Sequence, residues 1–327
     1  MTTKSYELLF LSRAQIESID LAMSEIVAVV EEAFRQKGNG DVEMPPKIGI
    51  HPAPDALIHA MPAYLPKMRA AGMKWVSGFP ENFRRGLPYI SGVVVLNDVQ
   101  TGLPTAVMDA AWITAKRTGA ATAVAAKYLA RKDSRTFGIL GCGVQGRANL
   151  EAVREVLENL QEVRAYDISK SKLKAYVDEM TAKFELSIKP VTGPREAVDG
   201  SDVVVTAGPI LKTPNPTIES AWIRDGVFAC ALDFDSYWRP EAMCSMHKFC
   251  TDDTDQLLYY RSTGHFQNIP NVYADLGQII VGHKVGRESD QERIMSMNLG
   301  LAMEDAAVAM KIFERAKKLG IGHWLSL

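Results

Sequence analysis

The sequence predicts an α/β protein of two domains, one of which is built on a doubly wound parallel sheet. The length of 327 residues favours two domains, at roughly 150 residues each. After residue 131, strand-like runs alternate with helical segments, the pattern of a parallel sheet with crossover helices. Before that point, short β-rich runs between Pro and Gly indicate a mostly antiparallel sheet.

The first part of the chain combines amphipathic helices with this antiparallel sheet. A helix is predicted over 21–37, because Ile26, Val29, Val30 and Ala33 recur at helical spacing on one face. The Ala-rich segment 109–130 predicts a second, long helix. Strands are predicted between them over 47–51, 56–61, 73–76 and 90–97.

The second part alternates strands with helices and ends in a helix. Helices are predicted near 144–160 and 170–184. The strands are expected over 136–140, 162–167, 202–207, 227–232 and 248–251. A last long helix is expected over about 290–318, with Met295, Met297 and Met303 in its core.

Composition and charge narrow the class of protein. The 37 basic and 39 acidic residues give a net charge of −2, which argues against broad binding to nucleic acid or to an anionic membrane. No run approaches the roughly 18 apolar residues of a spanning helix, and the start lacks a signal-peptide pattern. The four cysteines form no disulfide framework, and no metal site is predicted from Cys244, His247 and Cys250. We therefore expect a cytoplasmic protein.

A glycine-rich loop is the strongest local motif. Gly141–Cys142–Gly143–Val144–Gln145–Gly146 follows an apolar strand and opens a helix. In a Rossmann-type site the first glycine permits the turn, the second lets the backbone approach a pyrophosphate, and the third allows close packing. Val144 and Gln145 then lie at a helix N-terminus, which favours phosphate. A glycine turn without a ligand and a methyltransferase loop remain the alternatives.

Residues after the loop indicate which dinucleotide binds. Asp167 ends the next strand, 21 residues after Gly146, where a carboxylate binds ribose hydroxyls. It would repel a 2′-phosphate, so NAD is favoured, while Ser169 and Lys170 leave NADP open. Thr206 and Ala207 end a further strand and are predicted near the nicotinamide half of the cofactor.

Several longer segments together resemble one known family. The chain resembles the ornithine cyclodeaminase/μ-crystallin family over nearly its whole length, through MPPKIGIHP (44–52), MPAYLP (61–66), AAGMKWVSGFPEN (70–82), TGLPTAVMDAAWITAKRTGAATA (101–123), the glycine loop, ADLGQIIVGHKVGR (274–287) and LGLAMEDAA (299–307). The resemblance implies a Rossmann-type dinucleotide-binding domain over 126–304. It also implies a second α/β domain, 1–125 plus 305–327, that binds substrate and forms a homodimer.

The resemblance also implies an activity. Members are NAD(P)-dependent oxidoreductases of small α-amino or imino acids, including amino-acid dehydrogenases, ketimine reductases and ornithine cyclodeaminases. In each, hydride passes between the substrate Cα and the nicotinamide ring. The alternative is a non-catalytic, μ-crystallin-like protein that binds the cofactor and a small ligand.

Three cations are candidates for the substrate carboxylate. Lys74 lies in an apolar strand, where a buried lysine is costly without a partner. Arg117 lies among small residues, and its planar fork can bind a carboxylate at two points. The resemblance assigns both to the substrate carboxylate, and Lys47 replaces an arginine of the cyclodeaminases. Surface exposure or an internal salt bridge is the alternative for each.

Two aspartates are candidates for the acid/base group. Asp233 and Asp235 follow a buried strand, at the sheet edge where such folds bind ligands. The resemblance aligns Asp235 with the catalytic aspartate. Asp233 remains open, because Ser236–Tyr237–Trp238 replaces the usual Pro–Gly–Lys. Capping of the following turn is the alternative for both.

Three further positions complete the predicted site. His59 stands where ornithine-converting members carry glutamate, so a substrate other than ornithine is favoured. Asn298 stands where many relatives have a serine beside the nicotinamide pocket. By the same resemblance, Arg117, Thr118 and Asp235 are also expected near the cofactor.

Overall fold

A computed structural model describes residues 6–53 and 55–327 of the chain. The strands, in chain order, are β1 (Glu7–Leu11), β2 (Ile48–Ile50), β3 (Leu57–Leu65), β4 (Ala70–Gly78), β5 (Ile90–Asn97), β6 (Pro104–Asp109), β7 (Thr136–Leu140), β8 (Glu162–Tyr166), β9 (Ser187–Pro190), β10 (Val203–Thr206), β11 (Phe228–Ala231), β12 (Lys248–Thr251), β13 (Ala274–Asp275), β14 (Ile294–Met297) and β15 (His323–Ser326). The α-helices are α1 (Arg13–Ser18), α2 (Met23–Gly38), α3 (Ala110–Leu129), α4 (Val144–Arg154), α5 (Lys170–Phe184), α6 (Pro194–Val198), α7 (Pro240–Cys244), α8 (Thr254–Ser262), α9 (Leu276–Ile280) and α10 (Ala302–Leu319).

The chain forms two compact units. Unit 1 comprises the described residues up to Arg117 together with Leu301–Leu327, and unit 2 is Thr118–Gly300. The first division falls within α3, and both lie earlier in the chain than the predicted boundaries after residues 125 and 304. The assignment of substrate binding and dimerisation to the first unit stays a prediction.

Unit 1 is a seven-stranded sheet in the order β15-β1-β6-β5-β4-β3-β2. The neighbours are antiparallel except β1 and β6, which run parallel. On one face, α10 packs against β3, β4 and β5 and against α2. Met61, Lys74, Val94 and Met108 form one register row there, and each is buried. Lys74 is therefore a charged group within an apolar layer.

The opposite face of the unit 1 sheet contains two apolar rows that are half-buried or exposed. One register row on it contains Ile48, Ala60, Trp75 and Val93, and the exposed fractions of Ile48 and Trp75 are 61% and 42%. The adjoining row is formed by Pro62, Met73, Val95, Val107 and Phe10. Monomeric proteins rarely expose a continuous apolar patch of this kind without a partner.

Unit 2 confirms the predicted doubly wound sheet. Its eight strands are all parallel, in the order β13-β12-β14-β11-β10-β7-β8-β9. The central strands are buried throughout, as expected for a sheet that is covered on both faces. The carboxyl ends of β7, β10, β11 and β14 meet at one edge, where sheets of this kind bind ligands.

The predicted helix over 290–318 is wrong before Ala302. Ile294–Met297 is strand β14, which lies between β11 and β12, and α10 begins only at Ala302. Met295 and Met297 are thus core residues of a strand, whereas Met303 is a core residue of the helix. A four-residue apolar run does not distinguish a buried strand from a helix by periodicity. The left-handed turn at Gly300, with φ of 77°, separates the two elements.

Three strands of unit 1 escaped prediction. β1 is a short apolar run, β6 leads directly into α3 at Ala110, and β15 is exposed along its length. Apolar residues continue from β6 into α3 without a break, so the sequence does not show where the spacing of a strand gives way to that of a helix. The sheet therefore has more strands than the sequence predicts.

Candidate functional site

Two positions of the glycine loop, Gly141 and Gly146, accept only glycine. Gly141 has φ of 104°, and an added Cβ would lie 2.5 Å from the carbonyl oxygen of Ala207. A Cβ on Gly146 would lie 2.3 Å from the carbonyl oxygen of Gly141. Around Gly143, by contrast, a Cβ meets no described protein atom within 4 Å. The first and third glycines thus pack against protein, while the second leaves open space for a ligand.

The N-terminus of α4 lies at this open space, and no side chain among the described residues caps it through Gly143. Gly143 is the N-cap and provides no side-chain acceptor, and Val144 is 66% exposed. A phosphate is favoured there by the N–H groups and by the helix dipole. Thr118 is half-buried, and its neighbour Gly119 packs on Ala148 of α4, where an added Cβ would lie 2.4 Å from the Ala148 carbonyl oxygen.

Asp167 connects the glycine loop to the next strand end. Its Oδ2 accepts a hydrogen bond from the Cys142 N–H (2.8 Å), and its Oδ1 accepts one from the Ser169 N–H (2.8 Å). The carboxylate is half-buried and fixed by two backbone donors, and its remaining lone pairs can accept ribose hydroxyls. Ser169 caps α5, because its hydroxyl oxygen accepts a hydrogen bond from the Lys172 N–H. This hydroxyl therefore stabilises the start of the helix.

Asp233 lies in a buried hydrogen-bond network. The Thr206 hydroxyl donates to its Oδ1 (2.6 Å), the Gly208 N–H donates to its Oδ2 (2.8 Å), and the Trp238 indole N–H donates to Thr206 (3.1 Å). Asp233 is fully buried, and this burial raises the pKa of its carboxyl to about 7. Its carboxyl fixes the segment that follows β10, which leaves it little freedom to serve a ligand.

Asp235 is in a different environment. It is half-buried, and its Oδ2 accepts a hydrogen bond from the Phe266 N–H (3.2 Å). Phe234 between the two aspartates has φ of 60°, an uncommon left-handed conformation for a phenylalanine. Of the two candidates, Asp235 therefore has the more accessible carboxylate, which favours it as the acid/base group.

Asn298 lies at the carboxyl end of β14. Its backbone N–H donates to the Ala231 carbonyl (3.0 Å), and its Oδ1 accepts from the Ser296 hydroxyl (2.6 Å). Its Nδ2 is buried and has no acceptor among residues 6–53 and 55–327. Ala207 similarly follows β10, with its N–H bonded to the Leu140 carbonyl. The open loop, the anchored Asp167 and this unused amide donor fit a dinucleotide.

The residues of unit 1 that are predicted to bind the substrate carboxylate lie in a buried ionic cluster. Lys74 is 2% exposed, and its Nζ lies 2.6 Å from Asp305 Oδ2 and 3.3 Å from Thr114 Oγ1. Arg117 donates from Nε to Asp305 Oδ1 (3.0 Å) and from Nη1 to Glu304 Oε2 (2.7 Å). The internal salt bridge left open for these cations is therefore present.

Sequence reasoning missed both acidic partners. Glu304 and Asp305 are buried in the first turn of α10, where the helix dipole favours negative charge. Two adjacent acids within an otherwise small and apolar helix start were the available signal. A buried Lys74 requires a counter-charge, so the pairing was the expected consequence of its own position.

Several buried cations lie close together in this cluster. Lys47, Lys74 and Arg117 are buried, as are the carboxylates of Glu304 and Asp305. Burial lowers the pKa of Lys74 to about 7, with Arg117 and Lys47 adding to the shift and Asp305 opposing it. An anion is the ligand that such a charge distribution favours, because it would relieve the repulsion among the cations.

His59 adds no charge near neutral pH. It lies opposite Gly49 and Val76 in the sheet, and its ring occupies the space that a Cβ on Gly49 would need. Burial lowers the pKa of His59 to about 3, with Lys47, His51 and Lys74 adding to the shift. The structure therefore has a neutral imidazole at the position where the resemblance expects a glutamate for ornithine.

Comparisons with known proteins agree with this architecture. The alanine dehydrogenase of Archaeoglobus fulgidus is 37% identical over 324 residues, covering 97% of each chain. The structure of Thermococcus litoralis Δ1-pyrroline-2-carboxylate reductase in complex with NADH and L-proline has 35% identity and a TM-score of 0.88, over 97% of this chain and 99% of that one. An archaeal alanine dehydrogenase dimer with bound NAD has 35% identity and a TM-score of 0.87, over 98% and 99%.

The profile of the ornithine cyclodeaminase/mu-crystallin family matches residues 7–320. The match spans both units, including the glycine loop of unit 2 and the ionic cluster of unit 1. This extent, together with the relatives above, confirms the resemblance read from the sequence. The chain belongs to the ornithine cyclodeaminase/mu-crystallin family.

Proposed function

We propose that this protein is an NAD-dependent oxidoreductase that acts on the C–N bond of a small α-amino or imino acid. The observation that carries the proposal is the buried ionic cluster of unit 1, in which Lys74 and Arg117 share the carboxylate of Asp305 and repel each other. Function depends on the site rather than on the fold, and two buried cations held side by side are suited to bind an anion. A substrate with a carboxylate supplies such an anion.

Lys74 and Arg117 bind and orient the substrate carboxylate. The ammonium supplies a compact charge and the guanidinium a planar donor fork, so together they fix both oxygens and hence the direction of Cα. Both side chains are almost fully buried, which strengthens their attraction to a carboxylate relative to water. Lys47 contributes positive charge to the same cluster.

The residues that fit the dinucleotide belong to unit 2. Gly141, Gly143 and the start of α4 hold the pyrophosphate, and Asp167 binds the ribose and disfavours a 2′-phosphate. Thr206, Ala207 and Asn298 are proposed contacts of the nicotinamide half. The bound cofactor would supply a hydride acceptor in its oxidised form, NAD, and a hydride donor in its reduced form, NADH.

Asp235 manages the proton at the substrate nitrogen. In the oxidative direction its carboxylate takes a proton from the ammonium, and in the reductive direction it returns one. The Asp235 carboxylate is partly exposed and accepts one hydrogen bond among the described residues, so it can exchange a proton with a ligand. The Asp233 carboxylate, by contrast, is buried in a hydrogen-bond network.

The neutral His59 and the nearby Lys47 favour a substrate whose side chain has no positive charge. A second ammonium, as in ornithine, would be repelled by Lys47 and would find no carboxylate at residue 59. We therefore expect alanine, proline or a cyclic imine, rather than ornithine, to be turned over.

An absorbance assay of the nicotinamide tests the proposal. Alanine, proline, ornithine and lysine would be supplied with NAD or NADP, and Δ1-pyrroline-2-carboxylate with the reduced cofactors, with ammonia measured alongside. We expect net NAD turnover with at least one uncharged substrate and none with ornithine. Ammonia release from ornithine without net cofactor change would instead indicate a cyclodeaminase. No turnover despite measurable NAD binding would favour the non-catalytic alternative.

We also propose that the exposed face of the unit 1 sheet binds a second copy of this chain. Its apolar rows run across the strands, and an archaeal relative was solved as a dimer. Light scattering is expected to give twice the mass of one chain. Trp75→Glu should shift the protein to monomers, whereas Leu258→Glu, a control on the surface of unit 2, should not. A dimer unaffected by Trp75→Glu would contradict this assignment.

Some sequence-based expectations stay predictions. Within the described residues, no helix is both long enough and apolar enough to cross a bilayer. The cytoplasmic location and the lack of nucleic-acid or membrane partners are untested.

A further inference from the structure

We propose that Asp305 is a positioning residue for the substrate carboxylate, because its single carboxylate holds Lys74 as an ammonium and fixes the guanidinium plane of Arg117. This inference rests on the proposed function, which makes those two cations the carboxylate ligands. It assigns to α10 a part in substrate binding that requires no contact between Asp305 and the substrate.

The geometry gives Asp305 two tasks at once. Its Oδ2 lies 2.6 Å from the Nζ of Lys74, and its Oδ1 accepts from the Nε of Arg117 at 3.0 Å. One carboxylate thus bridges a residue of β4 and a residue of α3. Glu304 forms an ion pair with Arg117 at 2.7 Å. Asp305 is therefore the acid that couples the two cations.

The bridge leaves Lys74 able to donate to a ligand. Its ammonium has three N–H donors: Thr114 Oγ1 accepts one, and the Nζ forms an ion pair with Asp305 Oδ2. Arg117 donates from Nε and Nη1 to the two acids, which fixes the plane of its guanidinium. A cation fixed by a carboxylate behind it is already oriented when substrate arrives, so less conformational entropy is lost on binding.

Asp305 also opposes the loss of the Lys74 proton. The charged and titratable groups around Lys74 are Asp305 and Glu304 from α10, Arg117 from α3, His59 from β3 and Lys47 before β2. Burial and the two neighbouring cations lower the pKa of Lys74 to about 7, and Asp305 is the group that raises it. Without that carboxylate, the ammonium would lose its proton at a lower pH.

The acid itself is suited to remain ionised. Asp305 lies in the first turn of α10, where the helix dipole favours negative charge, and it receives the Arg117 N–H. Removal of one partner from a buried ion pair leaves the other uncompensated, and a lysine responds by giving up its proton. Loss of Asp305 is thus expected to act through the charge of Lys74.

The test is the pH dependence of carboxylate binding in the variant Asp305→Asn. Pyrrole-2-carboxylate, whose carboxylate is ionised throughout, is titrated calorimetrically into the NADH-loaded protein from about two pH units below neutrality to two above. Wild-type affinity is expected to fall as the pH rises through the pKa of Lys74, about 7. In Asp305→Asn the midpoint of this fall should move down by about one pH unit or more. Affinity should recover at the acidic end, where Lys74 regains its proton.

The control variant is Glu25→Gln. It breaks the ion pair between Glu25 and Arg315, which anchors the same helix at 2.8 Å but is partly exposed. We expect its binding curve to match that of the wild type. A midpoint unchanged in Asp305→Asn, or an equal loss of affinity at every pH, would overturn the inference, because a structural defect is not repaired by acid.

A second pair of variants covers the case in which Asp305→Asn fails to fold. Asp305→Ser is smaller, admits water, and should show the same downward shift of the midpoint. Lys74→Arg carries a group that does not titrate in this range, so its binding should lose the fall near neutrality. Wild-type protein that binds NADH but not pyrrole-2-carboxylate would overturn the carboxylate site and this inference with it. If the wild type binds pyrrole-2-carboxylate but the midpoint in the Asp305 variants is unchanged, only the role of Asp305 would be overturned and the carboxylate site would stand.

Discussion

Replacing Lys74 with methionine is expected to lower kcat/KM by about 100-fold or more, close to 3 kcal/mol of transition-state binding. The ammonium is proposed to contact the substrate carboxylate within a nearly dry cluster, where loss of a charge is poorly compensated by water. Steady-state kinetics with the substrate identified by absorbance would give the value. NAD affinity should stay near that of the wild type, since the dinucleotide residues belong to unit 2.

Methionine is chosen because it matches the length of the lysine stem and suits a buried site. Lys74 lies in an apolar row beside Met61 and Val94, so the thioether can fill the same space. Asp305 keeps its hydrogen bond from Arg117, so its carboxylate retains a counter-charge when the ammonium is removed. The melting temperature should therefore fall little, which separates lost binding from lost structure.

Lys248→Met is the matched control for a buried lysine. Lys248 is 5% exposed and pairs with Glu288 (2.6 Å) and Glu292 (3.0 Å) in unit 2. Its loss should lower stability while kcat/KM changes by only a few fold. Unaltered kinetics in Lys74→Met, or an equal loss in Lys248→Met, would refute the specific role of Lys74.

The sequence was sufficient for the parts of the molecule that depend on local pattern. The glycine loop, α5 and the strands β7, β8, β10, β11 and β12 are encoded by short-range periodicity and by glycine chemistry, and they lie where predicted. β14 was wrongly included in a helix, because its burial arises from two neighbouring strands that are distant in sequence. Periodicity carries no information on such neighbours.

The candidate site shows the same limit. Lys74 and Arg117 were identified by their unusual positions and by resemblance, but their acidic partners lie far along the chain. Glu304 and Asp305 are 187 and 188 residues beyond Arg117, and farther still beyond Lys74. Only the packing of α10 on the unit 1 sheet brings Asp305 to Lys74. The state of His59 likewise depends on burial and on neighbouring cations. The charge balance of a buried site depends on tertiary packing, which local sequence patterns do not encode.

Asp235→Asn is expected to lower kcat by about 10²- to 10⁴-fold, the usual contribution of a positioned acid/base group. Asparagine keeps the size of the side chain and an oxygen that can accept the Phe266 N–H, so the local turn should persist. It cannot take the proton from the substrate nitrogen. Single-turnover kinetics would measure the chemical step, and NADH fluorescence would verify that cofactor binding is retained.

Asp233→Asn is the comparison that decides between the two aspartates. Its amide nitrogen would face either the Thr206 hydroxyl or the Gly208 N–H, each of which donates in the native protein. A buried mismatch of this kind costs about 1–3 kcal/mol, so the main effect should be a lower melting temperature. Because the pKa of Asp233 is raised to about 7, this residue should also make the free energy of unfolding depend on pH.

The sign of this pH dependence follows from proton linkage. The folded protein holds the Asp233 proton up to a pH of about 7, whereas the unfolded chain releases it near its ordinary pKa of 3.8. The contribution of Asp233 to the free energy of unfolding is thus largest in acid and falls as the pH rises between these values. In Asp233→Asn this fall should be absent, while the pH profile of kcat should match the wild type. Loss of turnover in Asp233→Asn with an active Asp235→Asn would reverse the two roles.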